Sequence, residues 1–353
     1  MRSGRVLVTG AGGFVGKWTV IELLRAGFDV RGTVRSESKA EKVRRAVAKE
    51  LGEDFVRRLD FVKLDLMNDH GWRQAMIGVD AIAHVAAQIL GIEPKDPQVV
   101  IGPAVEGTER VLRFAVVSGI KRVVMTSSIA TVGYGHGHTT GKRTYTEADF
   151  TKLEGMKFTW AYCVGKTKAE RAAWAYARSE GLDLTTIHPG AILGPALDED
   201  ASISLRMVSG LLDGSTPAMP SNGFSVIDVR DVAAMHVAAL QQPASAGHRY
   251  LATSDYVPFA QIAEVLRAAY PDRQITQKQV PDWIIKLLAR FGGPTRQIIN
   301  DIGNEKHYDR TKGEGLLGRS FISGEEAILA TAESVLRLGL VKEKAEAGQK
   351  ASA

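Results

Sequence analysis

Tyr162 and Lys166 stand four residues apart in the segment WAYCVGKTKAER, Trp160 to Arg171. On a helix that spacing puts the two side chains on one face. A free phenol titrates near ~10, so an ammonium that stabilises the phenolate would make Tyr162 a readier acid at neutral pH. Lys166 can serve in that way, and it can also hold the ribose hydroxyls of a nicotinamide cofactor. Upstream, VVMTSSIATV from Val123 to Val132 ends an apolar run with two serines, Ser127 and Ser128. Ligands of open α/β sheets bind at the carboxyl ends of the strands, where a hydroxyl can hydrogen-bond an oxygen that is gaining negative charge. Adjacent strand residues point to opposite faces, so only one serine can serve; Ser128 is the choice and Ser127 its rival. Phenol, amine and hydroxyl together could protonate a carbonyl oxygen while a hydride reaches its carbon.

That hydride needs a carrier, and the start of the chain supplies a place for one. Arg5 to Gly16 reads RVLVTGAGGFVG, a strand pattern running into Gly10, Gly13 and Gly16 and then into a helix. Gly10 permits the tight turn, Gly13 a close approach of a pyrophosphate, and Gly16 the packing of the helix. The helix start, with Phe14 and Val15 in the turn, offers free N–H groups and a positive dipole end to the phosphates. Dinucleotide enzymes that use NAD carry an Asp or Glu at the end of the second strand. Here that place reads VRGTVRS, Val30 to Ser36, with Arg35 where the acid would be and Ser36, Lys39 and Lys42 nearby. A guanidinium grips a 2′-phosphate in two-pronged fashion, so NADP(H) is the expected cofactor.

The elements that must position these groups follow a βαβ rhythm over the first 190 residues. Strands are expected at Arg5 to Thr9, Phe28 to Val34, Leu59 to Leu64, Ala81 to His84, Arg122 to Thr126 and Leu182 to Ile187. Helices are expected at Gly13 to Ala26, Lys39 to Leu51, Gly71 to Met76, Pro97 to Ser118 and Trp160 to Glu180. The fold class is therefore α/β, a Rossmann-like doubly wound parallel sheet with a smaller C-terminal substrate-binding lobe. The nucleotide domain is assigned 1–190 with a return segment at about 224–242, and the second lobe 191–223 and 243–341. A tail at 342–353, rich in Lys, Glu, Ala and Gln, is expected to be flexible.

Composition narrows the function classes. The 353 residues are 44% hydrophobic and 24% charged, enough for a large buried core. A net charge of +5 comes from Lys and Arg scattered among acids rather than gathered in a stripe, so no nucleic-acid partner is expected. No run reaches the ~18 apolar residues of a membrane span and no leader is apparent. The single cysteine, Cys163, can form no internal disulfide, and a cytoplasmic protein with a small-molecule carbonyl substrate is expected, as monomer or homodimer.

Other features take plainer readings. His136 and His138 in GYGHGHTTGK lack a second pair of ligands at metal-binding spacing, so no metal is expected. Nor is that loop a nucleoside-triphosphate loop, because Arg143 stands where Ser or Thr is required. It and Tyr145 lie between Ser128 and Tyr162 and are expected to flank the substrate cleft. Cys163 points about 100° from Tyr162 and reads as a buried thiol, and His188 as a hydrogen-bonded strand-end histidine. Trp160, Trp174 and Tyr176 read as packing residues, while Trp283 and Phe291 suit either core or cleft lining.

TGAGGFVG, TSSIATV and YCVGK at these separations resemble the extended short-chain dehydrogenase/reductases. VRGTVRS, HVAA, GTERVL, YCVGKTKAERAAWAYA and IDVRDVAAMHVAAL resemble the dihydroflavonol 4-reductase and cinnamoyl-CoA reductase branch, with its microbial aldehyde and ketone reductases. The likeness covers most of residues 5–255 and is strongest before Pro189. It implies Ser128, Tyr162 and Lys166 as a catalytic triad and Arg35 with Lys42 as 2′-phosphate contacts. It also implies Asp65 and Leu66 on the adenine side, the His84, Val85, Ala86 and Ala87 stretch along the cofactor, and Pro189 beside the nicotinamide. Many extended members carry Asn where PAVEGT has Ala104, a departure that favours a reductase over an NAD-dependent nucleotide-sugar epimerase or dehydratase, the alternative reading.

Overall fold

The run RVLVT, Arg5–Thr9, is buried along nearly its whole length and forms an interior strand, β1, of a parallel sheet. The computed structural model describes residues 4–87, 93–137, 140–156, 160–200, 202–291 and 295–342. The further strands are β2 (Asp29–Val34), β3 (Leu59–Lys63), β4 (Ala81–His84), β5 (Arg122–Thr126) and β6 (Gly141–Tyr145). After them come β7 (Asp183–Pro189), β8 (Ala191–Leu193), β9 (Gly223–Asp228), β10 (Arg249–Ala252), β11 (Tyr256–Pro258) and β12 (Asn304–Tyr308). Seven of these form one sheet in the order β10-β7-β5-β4-β1-β2-β3, every neighbouring pair parallel. The order reverses between β1 and β4, which opens the crevice where such folds take their ligands.

All six expected strands of this sheet occur, three with the expected bounds and three with ends shifted by one or two residues. The helices do likewise: α1 spans Phe14–Arg25 and α2 Glu37–Leu51, the latter capped by the Ser36 hydroxyl. One feature differs. Arg249–Ala252, inside the stretch 243–341 assigned to the second lobe, is the seventh strand and pairs with β7 from Arg249↔Thr186 to Ala252↔Pro189. The return segment divides: Gly223–Asp228 joins a separate three-stranded sheet β11-β9-β8, and the helix Val229–Gln241 returns to the central sheet. Its Val229, Ala233 and Val237 share a core with Val20, Ile21 and Leu24 of α1. Burying side chains of that size is worth roughly 1.5–3 kcal/mol each, so this helix is held to the nucleotide half rather than to the second lobe.

Two long helices cover the other face, Gln98–Val117 and Ala161–Glu180. They approach closely because Gly165 carries no side chain: a Cβ there would lie 3.3 Å from both Ile101 Cα and Ala104 Cβ. The small Ala104 thus has a packing role at the crossing. Among the described residues no helix is long and apolar enough to cross a membrane. The tail expected to be flexible lies outside the described residues from position 343 onward.

Candidate active site

The glycine turn is built by backbone geometry. Gly10 has φ +69°, a left-handed conformation that favours glycine, and a Cβ on it would lie 2.8 Å from Ala86 Cα. At Gly16 a Cβ would fall on the Gly10 carbonyl oxygen and come within 2.9 Å of Ala11 Cα, so the third glycine lets α1 close onto the turn itself. Thr33 fixes the turn from β2, accepting from the Gly10 N–H at 3.1 Å through its hydroxyl and from Ala11 N–H at 3.2 Å through its carbonyl. Gly13 caps α1 without a side-chain acceptor. Phe14 and Val15 follow in the first turn, and both pack in part against the apolar core beneath.

Thr9 ties the next strand to this turn. Its hydroxyl pairs with His84 Nδ1 at 2.8 Å and accepts from the N–H groups of Val85 and Ala86 at 3.1 Å. Ala86, Ala87, Leu66, Tyr162 and Lys166 then line one small cavity between β4 and the helix Ala161–Glu180. Pro189 ends β7 at the same rim, two residues beyond Ile187, whose carbonyl accepts from Ser127 N–H at 2.7 Å. Asp65 lies outside this cluster: it is exposed just past β3, where its carboxylate accepts from Met67 N–H at 2.9 Å.

The two serines part as strand alternation requires. Ser127 Oγ donates to Glu170 Oε2 at 2.8 Å, deep beneath the site. Ser128 Oγ caps the short turn after β5, accepting from Ala130 N–H at 3.1 Å, beside the Tyr162 phenol. Burial pushes the Tyr162 phenol above its ordinary value, and the neighbouring Ser128 hydroxyl pulls the other way. Lys166 is 7% exposed and its Nζ donates to the Thr126 carbonyl at 2.8 Å. Burial lowers its pKa to about 8, while Glu170, one turn along, draws it back up. In the free protein burial dominates the Tyr162 phenol, and Lys166 Nζ is directed at the strand end.

A buried polar network holds this arrangement from below, and its Glu170 and Arg249 were missed in the sequence. Glu170 Oε1 accepts from Arg249 Nε at 2.8 Å and from Trp174 Nε1 at 3.2 Å, with His188 Nε2 3.4 Å away. His188 Nε2 also pairs with Thr186 Oγ1 at 2.8 Å, and its Nδ1 lies 3.2 Å from Thr131 Oγ1 and 3.3 Å from the Ser128 carbonyl. Desolvation lowers the pKa of His188 to about 4, so it is neutral near pH 7. Glu170 could have been found, because it lies four residues beyond Lys166 on the same helix face.

At the 2′ side of the turn, Arg35 is exposed at the end of β2. Lys42 is not open to solvent in the same way: it pairs with Glu199 at 2.7 Å and Asp200 at 3.1 Å. Elsewhere Cys163 is fully buried and donates to the Ala130 carbonyl at 3.1 Å, its thiol pushed well up by desolvation. Trp160 packs edge-on to Tyr134 and tilted over Tyr162. Tyr145 is 1% exposed, packed on Tyr308 within the β6–β12 pair, so it does not flank an open cleft as expected. Trp283 is 66% exposed and is not a core residue. His136 bonds the Val132 carbonyl at 2.8 Å, while His138 and the side chain of Phe291 lie outside the described residues.

Comparison with known proteins bears on this geometry. A family model described as "NAD dependent epimerase/dehydratase family" matches residues 6–252. The chain belongs to that family. Within it, the chain is 34% identical over 278 residues to tetraketide alpha-pyrone reductase 1 of Arabidopsis thaliana, covering 78% of this chain and 84% of that one. It is 34% identical over 279 residues to cinnamoyl-CoA reductase 1 of Petunia hybrida, covering 78% and 80% of the two chains. With dihydroflavonol 4-reductase of Zea mays the identity is 35% over 281 residues, with coverage of 78% and 77%. The resemblance to the dihydroflavonol and cinnamoyl-CoA reductase branch thus holds, and these relatives of the family are reductases. Among solved structures the fold is shared with yeast methylglyoxal/isovaleraldehyde reductase Gre2 complexed with NADPH, at TM-score 0.77 and 23% identity over 96% of this chain and 100% of that one. Vestitone reductase from alfalfa gives TM-score 0.74 and 24% identity over 96% and 99%.

Proposed function

We propose that the protein is an NADPH-dependent carbonyl reductase that converts an aldehyde or ketone to the alcohol. The observation that carries this reading is the buried Tyr162 phenol beside Ser128 at the carboxyl rim of β5, with Lys166 on the same helix face and its Nζ on the Thr126 carbonyl. The residues present fit a dinucleotide with an additional phosphate: a glycine turn in which a Cβ on Gly13 would meet only the Gly10 carbonyl, N–H donors at the start of α1, and Arg35 where an NAD enzyme carries an acid. Gly10, Gly13, Phe14, Val15 and Gly16 would hold the pyrophosphate, and Arg35 with Lys42 the 2′-phosphate. Leu66 with Asp65 would flank the adenine, Val85, Ala86 and Ala87 the middle of the cofactor, and Pro189 the nicotinamide. When bound, the reduced cofactor supplies the hydride.

The chain's own residues supply the rest. Ser128 orients the substrate oxygen and donates to it as negative charge accumulates there. Tyr162, kept protonated by its buried setting, gives its proton to that oxygen, and the resulting phenolate is reprotonated from solvent. Lys166 holds the nicotinamide ribose and, as a cation, lowers the cost of the transient phenolate. The carbonyl carbon gains the hydride and the oxygen the proton, which balances the reduction to an alcohol. The relatives that act on polyketide, cinnamoyl-CoA and flavonoid compounds, together with Trp160 beside Tyr162, support an aromatic carbonyl as substrate.

The test is consumption of NADPH, followed by absorbance, across aromatic and aliphatic aldehydes and ketones, with NADH run beside it. Turnover with NADPH and an aryl carbonyl is expected. Release of product from a nucleotide sugar, without net change in the nicotinamide, would replace this reading with epimerase or dehydratase chemistry.

A further inference from the structure

The lysines beside the glycine turn already have an anion. Beyond β8 the chain runs through Pro195–Asp200 across the starts of α1 and α2, and it is fixed there by direct bonds. Trp18 Nε1 donates to the Pro195 carbonyl at 2.9 Å. Asp198 pairs with Lys17 at 2.5 Å, and the Lys17 side chain is only 2% exposed. Past this anchor, Asp200 Oδ2 lies 2.6 Å from Lys39 Nζ, 3.1 Å from Lys42 Nζ and 3.9 Å from Lys17 Nζ. Glu199 adds a contact of 2.7 Å to Lys42. Lys39 also borders the turn itself, since a Cβ on Gly12 would lie 3.3 Å from Lys39 Cβ.

We infer that Asp200, supported by Glu199, is an internal competitor for the cofactor's 2′-phosphate and sets how strongly the protein prefers NADPH to NADH. This rests on the NADPH reading above, in which Lys42 and Arg35 receive that phosphate. The competition follows from charge. Lys42 cannot hold a phosphate dianion and keep two carboxylates within 3.1 Å without those anions repelling each other. The deeper Lys17–Asp198 pair keeps the base of the loop in place, so only the tip at Glu199 and Asp200 must withdraw when NADPH binds. NADH brings no second anion to this place and leaves the pairs intact. The acidic tip therefore weakens NADPH binding selectively. Its contacts are partly exposed, with the Asp200 side chain 29% and Glu199 63% accessible, so the effect is moderate rather than prohibitive.

The experiment titrates the full-length protein calorimetrically with adenosine 2′,5′-bisphosphate, the adenine half of NADPH, and with AMP, the adenine half of NADH. Glu199→Gln with Asp200→Asn should tighten the bisphosphate by roughly three- to tenfold and leave AMP unchanged. Unchanged or weaker bisphosphate binding by this variant overturns the inference; a weakening would mean that the acids hold Lys42 ready for the phosphate. Lys42→Ala separates the two levels. If it weakens the bisphosphate while the acid-to-amide variant has no effect, the phosphate site stands and only the competition fails. If Lys42→Ala leaves the bisphosphate unaffected, the 2′-phosphate assignment falls, and the inference with it.

Discussion

The ionisable groups under Tyr162 and those beside the glycine turn differ first in their access to water. Lys166, Glu170, His188 and Arg249 are all under 10% exposed, and each is fixed by at least one hydrogen bond to strand or helix. Around Lys42 the partners are partly exposed carboxylates, and Arg35 is open to solvent. In the first region desolvation lowers Lys166 to about 8 and His188 to about 4 and raises Tyr162, while Glu170 is held down against it by His188 and Arg249. In the second, direct pairing dominates, so Lys42 is raised by Glu199 and Asp200. A buried group is costly to perturb and can set chemistry, whereas an exposed pair is cheap to exchange and suits selection between two cofactors.

The comparison breaks most visibly at the proton donor. Tyr162→Phe removes the reacting proton but leaves the ring in place, so kcat should fall by roughly 10²–10⁴ while NADPH affinity changes less than about twofold. Stopped-flow turnover beside a fluorescence titration measures both; retained turnover would end the assignment of Tyr162. The buried side should also fail first in acid. His84, His188 and His236 are fully enclosed and lowered by desolvation, to about 3, about 4 and about 4. In the unfolded chain each titrates near ~6.5, so below that pH the unfolded state binds protons that the folded state refuses. Stability then drops as pH falls from about 6.5 toward 4, by up to about 1.4 kcal/mol per pH unit for each histidine. Urea midpoints taken between pH 7 and 4.5 test this; a constant midpoint would mean that the three rings are protonated in the fold.

Much of the site could be read in the sequence because its parts are local. Gly10 to Gly16, the β5 end with Ser128, and Tyr162 with Lys166 each lie on one continuous element, and their spacing carries the geometry. Contacts between distant segments were not legible. Arg249 meets Glu170 across 79 positions, and nothing in RYLA distinguishes the seventh strand of the sheet from a segment of a second lobe. Gly141–Tyr145 reads as a glycine-rich loop, yet it pairs in parallel with Asn304–Tyr308, a partner no periodicity identifies. Nothing local in the acidic run Asp198–Asp200 marks it as the partner of Lys17, Lys39 and Lys42, which only the fold brings against it. Charge complementarity over 150 residues of separation leaves no local pattern.

On the exposed side, Arg35→Ala should weaken NADPH by about ten- to a hundredfold, the worth of a charge-assisted hydrogen-bond pair to phosphate, and NADH by less than about twofold. Equal losses for the two cofactors would place Arg35 outside the 2′ site. The smallest effect is expected of pH on cofactor binding, and it separates the regions by sign and midpoint. Lys166 titrates at about 8 in the free protein, held up from a lower value by Glu170. Above that pH the free site loses the cation proposed to hold the ribose, so NADPH and NADH affinities should both decline, by at most about tenfold per pH unit. Glu170→Gln removes the supporting charge, and the decline should begin at lower pH. An Arg35 or Lys42 origin would instead affect NADPH alone, because NADH carries no 2′-phosphate. Parallel titrations of the two cofactors from pH 6.5 to 9.5 therefore assign the effect: a shared decline belongs to the buried amine, and a flat profile for both would mean that Lys166 keeps its proton throughout.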